Sequence, residues 1–474
     1  MTTVADATTQ QRNDALSPAA RRAIFGAWLG FFVDQFDIYL PVIALAPAAI
    51  YFQPKNLPAS VAATIYFSIF AATLIGRPVG AIIFGNFADS IGRKRSAMVA
   101  VGGFGVITFL IAILPGYESW GLTVLLILIL LRFVDGIFLG GEYTAASPLA
   151  MEYAPRKKRG LVGALIQVGY PCAYVGISLV TLLMLAVLPA KGLHSAYVQW
   201  GWRIPFFVGS LLALAFVVYY QFFVPESELW EKSKEAAASS SEKTEAPLKQ
   251  LFRGDNLRNL VQVFVLMTGV WLTLQAVLST LPAVLIQQKK LPPTTVTIGL
   301  LIANVLLAFG YIGAGLLSQR VGRRLLFIAY GVLSATVAPV LYVMLVDSPG
   351  TVTPLVLAAI VTVLVISVWG FVTTYITERF HTGVRASGYG VGYSLAVVLP
   401  ALYAYYMLGL GNFIPYKYTQ IVLLAVGGLF MIVGAVMGPE TKDLDFASEV
   451  TTPEAEPAPS ARREPTGRPA PGSA

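Results

Sequence analysis

The chain has 474 residues, of which 56% are hydrophobic and only 12% charged. A soluble domain carries about a quarter charged residues, so half that share cannot cover a water-facing surface, and the chain must face lipid. The formal charge of +8 is scattered in short clusters between apolar runs instead of on one amphipathic face or in a basic tail. That excludes a nucleic-acid partner and reads as a topology signal.

Residues 1–22 are expected to be a disordered cytoplasmic segment; the first twenty are polar and lack the charged start, apolar core and small-residue cleavage site of a secretory signal, so the first helix is expected to direct insertion. A helix needs about 20 apolar residues to cross a roughly 30 Å hydrocarbon core. Windows of that kind recur near 24–50, 60–84, 96–114, 121–149, 161–189, 203–224, 259–286, 296–318, 325–346, 353–376, 387–410 and 418–438. The expectation is an all-α membrane protein of twelve transmembrane helices in two pseudo-symmetric six-helix bundles, 23–224 and 258–438. A polar linker (225–257) joins them, and a Pro-, Ala- and Glu-rich tail (439–474) has too little apolar content to fold. The single cysteine, Cys172, excludes an intramolecular disulfide and reads as a packing residue.

Lys and Arg in short loops stay on the cytoplasmic side. Clusters at Arg93-Lys94-Arg95, Arg156 to Arg159, and Arg320, Arg323 and Arg324 fall in alternate loops, with Lys289-Lys290 as the dissenting pair. The rule places both termini in the cytoplasm and the chain, as a multi-pass protein, in a plasma membrane, the bacterial inner membrane being the expected setting.

Comparison of the halves reveals an internal repeat. After the second helix the chain reads Gly85-Asn-Phe-Ala-Asp89-Ser-Ile-Gly92-Arg93-Lys94-Arg95, and after the eighth Gly315-Leu-Leu-Ser-Gln319-Arg-Val-Gly322-Arg323-Arg324. Glu152 precedes Arg159 by seven residues, as Glu378 precedes Arg385, and the halves close on Pro225-Glu226-Ser227 and Pro439-Glu440-Thr441. Glycines permit tight turns between helices, and the arginines can bridge carboxylates and helix C-termini that meet only when one mouth is shut. A cytoplasmic gate is therefore expected from Gly85, Asp89, Gly92, Arg93, Lys94, Arg95, Glu152, Arg159, Gly322, Arg323, Arg324, Glu378 and Arg385. The bland alternative is that the arginines only set topology.

The Gly85 to Arg95 segment resembles the signature of the major facilitator superfamily, and its second copy departs from it at Gln319, where the acid is lost. The resemblance spans about residues 22–442. Gly140-Gly141-Glu142-Tyr143, Gly201-Trp202-Arg203-Ile204-Pro205 and Arg77-Pro78-Val79-Gly80 are similar to the metabolite:proton symporters, and Arg132-Phe-Val-Asp-Gly136 to those and the sugar porters. The resemblance implies alternating access to a central site between the halves.

A charge at bilayer depth is costly unless it faces a cavity or a partner. Asp34 and Asp37 fall about 15 and 20 Å along the first helix, and Arg132 about 17 Å from the other surface, in one layer. An acid beside an arginine can tie proton uptake to conformation. Proton coupling is therefore expected from Asp37, Asp34, Arg132 and Asp135, with Asp135 a rival to Asp37 as the partner of Arg132. Asp37 leads because the resembling families carry their coupling acid in the same Phe-Asp context. A fixed ion pair with no titration is the alternative. Arg77 and Glu142 lie at similar depth and are expected to pair.

The second half offers Trp271, Gln275, Asn304, Trp369 and Tyr393 for hydrogen bonding and stacking. With Arg77, Glu142, Gln167 and Tyr170 of the first half they form the expected substrate site, though each alone is more often a packing residue. No phosphate-binding loop is present, and two histidines offer neither a metal site nor a catalytic triad. The expected function is import of a small metabolite, an organic acid anion, by proton symport. Protons are the coupling ion, with no cofactor, metal or enzyme activity, and a monomer in the lipid bilayer is expected to suffice. The rivals are a proton-driven exporter of drugs or amphiphiles and a non-transporting sensor of the same fold.

Overall fold

The computed structural model describes residues 16–444, except 56, 58, 190–191, 227–229 and 232–246. Most of the expected linker, the tail from 445 and the first fifteen residues lie outside the described set, as does Ser227. Among the described residues, twelve helices are long and apolar enough to span a membrane: α1 (Pro18–Ile43), α2 (Ser68–Ile91), α3 (Arg93–Ala112), α4 (Leu122–Glu152), α5 (Arg156–Val187), α6 (Tyr197–Phe223), α7 (Gly254–Ile286), α8 (Thr294–Val321), α9 (Arg323–Asp347), α10 (Val352–Glu378), α11 (Arg385–Leu410) and α12 (Tyr416–Met437).

The first helix begins six residues before the apolar window because local chemistry starts it. Ser17 Oγ accepts the Ala20 amide at 3.1 Å and Pro18 supplies a preset first turn. Residues 18–22, expected as part of a disordered segment, are therefore helical. At its far end α1 stops at Ile43, two residues after Pro41, and a tighter turn over Ala46–Phe52 replaces the expected continuation to 50. Helix α7 likewise starts at Gly254, inside the expected linker, and Pro247–Leu251 adds a short helix before it.

Between α2 and α3, and again between α8 and α9, one residue turns the chain. Gly92 sits at φ 113° and Gly322 at φ 106°, values that a residue with a Cβ rarely adopts. Each turn is followed by a helix whose first amides are capped from afar. Glu226 accepts from the amides of Arg93 and Lys94 at 3.0 and 3.2 Å, and Glu440 from those of Arg323 and Arg324 at 2.9 and 3.1 Å. A carboxylate there satisfies orphan amides and opposes the positive end of the helix dipole.

The bundles α1–α6 and α7–α12 meet along two crossings, α2 on α11 and α5 on α8, both floored by glycine. A Cβ at Gly85 would lie 3.0 Å from Ser387 Cα, and one at Gly315 would lie 2.5 Å from both the Gly160 carbonyl and the Ala164 Cβ. Gly85 is thus a close-approach residue within α2 and not part of the turn expected from the motif. The outer wall is apolar: Leu126, Leu211, Phe222, Phe309 and Leu408 are all largely exposed, as a lipid-facing surface requires.

Candidate functional site

Between the two bundles lies a cavity of about 410 Å³, open solvent at its mouth included. Seven of the nine expected substrate residues line it: Arg77, Gln167, Tyr170, Trp271, Gln275, Trp369 and Tyr393. Gln35, Tyr39 and Tyr311 also line it and were not anticipated. Gln35 carried a readable signal, an uncharged polar side chain between two acids in an apolar helix. Asn304 and Glu142 do not line it. Asn304 Nδ2 donates to the Leu300 carbonyl of its own helix at 2.9 Å.

The lining holds one cation and no carboxylate. Arg77 Nε and Nη1, Gln167 Nε2, Gln275 Nε2 and Trp369 Nε1 are buried and find no hydrogen-bond acceptor among the described residues. Buried polar groups are normally paired, so a cluster of five unpaired donors around one cavity marks a place for acceptor atoms that are not part of the chain. Aromatic rings set the walls. Trp271, Trp369 and Tyr393 meet edge-on at 4.6 to 5.7 Å, and the Trp271 indole is fixed by donation to the Tyr393 carbonyl at 2.9 Å.

Arg77 joins the cavity to a charged layer behind it. Its Nη2 donates to Asp34 Oδ2 at 2.9 Å, while Gln35 Nε2 donates to the same oxygen at 2.8 Å. Its guanidinium carbon lies 4.8 Å above the Tyr143 ring, within cation–π range. The expected Arg77–Glu142 pair is therefore not formed. Asp34 takes the arginine, and Glu142, though fully buried, has neither oxygen hydrogen-bonded among the described residues. Asp37 and Asp135 prove not to be rivals, since Arg132 reaches both, at 3.0 and 2.8 Å. Thr108 of α3 also donates to Asp37.

On the side of the cavity that carries the basic loops, three layers seal the halves together. Nearest the cavity, the Tyr143 ring of α4 packs against the Tyr393 ring of α11 at 4.6 Å, tilted by 42°, and Tyr143 shares a hydrogen bond with Ser394. Next, Asp89 of α2 accepts from the Ser387 amide at 3.1 Å and its hydroxyl at 2.6 Å. Then Glu152 of α4 binds Arg93 through both oxygens, at 2.7 and 3.1 Å, and reaches across to Arg385 at 3.2 Å. The second copy of the motif repeats the intra-half part: Arg323 binds Glu378 at 3.1 Å and Gln319 at 2.9 Å. Gln319, where the repeat loses its acid, crosses between halves as a neutral link by accepting the Gly160 amide at 3.1 Å. Arg159 Nη1 donates to the Leu444 carbonyl and Thr374 donates to the Arg159 carbonyl.

The remaining gate candidates play smaller parts. Lys94 donates to the Gln221 carbonyl and Arg324 to the Val436 carbonyl, each within its own half. Arg95 is exposed and stands outside the cross-half contacts. Ser387, Glu226 and Glu440 do more of the holding than either. The two glutamates were visible as paired triplets, whereas Ser387 carried no signal.

Twelve apolar helices in two related bundles around a central cavity with unpaired hydrogen-bond donors define a membrane transporter of small solutes. The chain belongs to the Major Facilitator Superfamily, whose sequence profile matches residues 27–404. It is 28% identical to the inner membrane metabolite transport protein YhjE of Escherichia coli K12, over 85% of this chain and 91% of that one. It is 29% identical to the shikimate transporter of the same organism (80% and 85% covered) and 30% identical to its alpha-ketoglutarate permease (79% and 83%). Among solved structures it resembles the proton:xylose symporter XylE bound to 6-bromo-6-deoxy-D-glucose, with a TM-score of 0.72 over 90% of this chain and 97% of that one. At 17% identity that likeness concerns the fold.

Proposed function

We propose that the protein imports a small organic acid anion together with protons. The observation that carries this reading is the cavity lining: one guanidinium, three further unpaired donors (Gln167, Gln275 and Trp369) and no carboxylate. Arg77 keeps Nε and Nη1 unpaired after Asp34 takes Nη2, enough for a carboxylate, and a charge-assisted bond of that kind is about twice as strong as a neutral one. Two relatives named for organic acids, shikimate and alpha-ketoglutarate, agree with it.

Asp37 takes and releases the coupling proton. Arg132 and Thr108 hold its carboxylate from α4 and α3, so movement of those helices changes its partners. Asp34 links the two events, being three residues from Asp37 and bonded to the arginine that meets the substrate. The layers from Tyr143 to Glu152 form the gate, and the basic loops face the cytoplasm, as do both termini. One chain contains both bundles and the whole cavity, so a monomer suffices.

The test is uptake of radiolabelled shikimate and alpha-ketoglutarate into proteoliposomes under an imposed pH gradient, acid outside. Accumulation above the external concentration, collapsed by a protonophore, is the expected result. Binding of neither acid, with binding of sugars or quaternary amines instead, would overturn the substrate class.

A further inference from the structure

Behind the cavity the described residues bury four carboxylates and two guanidiniums: Asp34, Asp37, Asp135 and Glu142 with Arg77 and Arg132, each at most 1% exposed. They divide into two sets in which one arginine is outnumbered by two acids. Arg132 contacts both of its acids. Arg77 contacts only Asp34, and Glu142 is left without a hydrogen bond.

The surroundings of Glu142 are apolar and tight. Its carboxyl lies against Gly30 of α1 beside the Phe216 ring of α6, and any side chain on Gly30 would collide with it. One turn along α1 toward the basic loops, about 6 Å away, Gly26 abuts the Tyr220 ring, which is stacked on Phe216 at 4.2 Å. The ionisable groups facing Glu142 are Asp34 from α1, Arg77 from α2, Tyr220 from α6 and Tyr389 from α11, with Tyr143 beside it in α4. Of these only Arg77 is cationic, and it is bonded to Asp34. An unpaired carboxylate in such a place is strongly disfavoured, and a second negative charge nearby adds to that.

We infer that Glu142 is a second proton-carrying site, occupied while the basic face is closed and separate from the Arg132 cluster. The inference rests on the proton-symport reading above. One proton on each set leaves the buried layer neutral, so the closed state holds two. Opening of the basic face admits water to the α1–α4–α6 junction past Tyr220. The Oε–H bond of Glu142 then breaks, its proton passes to that water, and the carboxylate left behind is solvated. The arrival of an anion at Arg77 weakens the hold on Asp34 and retains the proton on Glu142 until that opening.

Glu142→Gln tests this, because the amide has the shape and neutrality of the protonated acid. In the reconstituted protein, E142Q is expected to fold and to melt within about 2 °C of the wild type, because the exchange changes neither shape nor charge of the protonated acid. Failure to fold or a clearly lower melting point would overturn the inference. Reversal-potential measurements with shikimate or alpha-ketoglutarate, whichever accumulates, then give the proton count per substrate. The expected count in E142Q is one lower than in the wild type. An equal count in a protein that still accumulates substrate removes Glu142 as a carrier and leaves proton symport standing, whereas no pH-driven accumulation by the wild type removes the symport reading itself.

Discussion

Arg77 is held by one acid and lines the cavity, and the consequences of removing it differ for stability and for binding. Arg77→Gln leaves Asp34 buried with only Gln35 as a donor, which costs about 3–5 kcal/mol, because breaking one side of a buried pair leaves an uncompensated charge. Asp34→Asn with Arg77→Gln removes both charges and is expected to restore most of that loss in a thermal melt. It should not restore binding: affinity for a carboxylate falls at least about tenfold, since a charge-assisted bond contributes about 1.5–3 kcal/mol. Asp37→Asn separates coupling from transport. Proton-driven accumulation is expected to vanish while exchange of substrate across the membrane continues, and unchanged pH-driven uptake would remove Asp37 from the coupling role. The sequence made these residues visible as charges in apolar helices but not their partners. Asp34 and Arg77 are 43 positions apart, and on a helix apolar nearly all round the pattern does not say which face meets which neighbour. Glu142 was paired by depth alone, and depth is shared by everything in the layer.

At the scale of helices, the repeated motif divides into parts with different mechanical duties. Its last glycine makes the turn, at φ 113° for Gly92 and 106° for Gly322, and the following amides are capped by Glu226 and Glu440. Its first glycine is a crossing point, Gly85 on Ser387 and Gly315 on Gly160. Both duties use the absence of a Cβ, which is why spacing alone could not tell them apart. Whether a helical glycine serves a turn or a contact is decided by a neighbour far away in sequence. A bulky side chain at the crossing should wedge the basic face open without disturbing the turn. Gly85→Leu and Gly315→Leu, each in a Cys172→Ser background with a reporter cysteine at Gln167, are expected to raise thiol labelling from the basic face severalfold. Equal labelling in wild-type and wedge backgrounds would show that these crossings do not govern closure.

Across the whole molecule, closure of the basic face depends on a few polar links between two otherwise apolar bundles, and Asp89 makes two of them to Ser387 while also touching Arg93 at 3.3 Å. The two halves contribute unequally. The first presents charged acceptors, Asp89 and Glu152, and the second presents Ser387 and Arg385, while the mirrored position Gln319 is neutral. Loss of the acid from one copy removes a buried charge from that crossing, so the buried ionic links between the halves lie on the α2–α11 side, while Arg156 and Asp443 pair at the exposed edge. Asp89→Lys should therefore act more strongly than any change at Gln319. It deletes both bonds to Ser387 and sets a cation beside Arg93 and within the Arg385 cluster. Removing about 3 kcal/mol from the closed state alters the closed-to-open ratio about a hundredfold. Spin labels at the exposed positions Ser90 and Arg320, which end α2 and α8 on the basic face, would report it as a new longer-distance population in Asp89→Lys. Gln319→Lys is expected to leave the short distance dominant. A distribution in Asp89→Lys identical to wild type would mean that the apolar crossings, and not the ion pairs, hold the face shut.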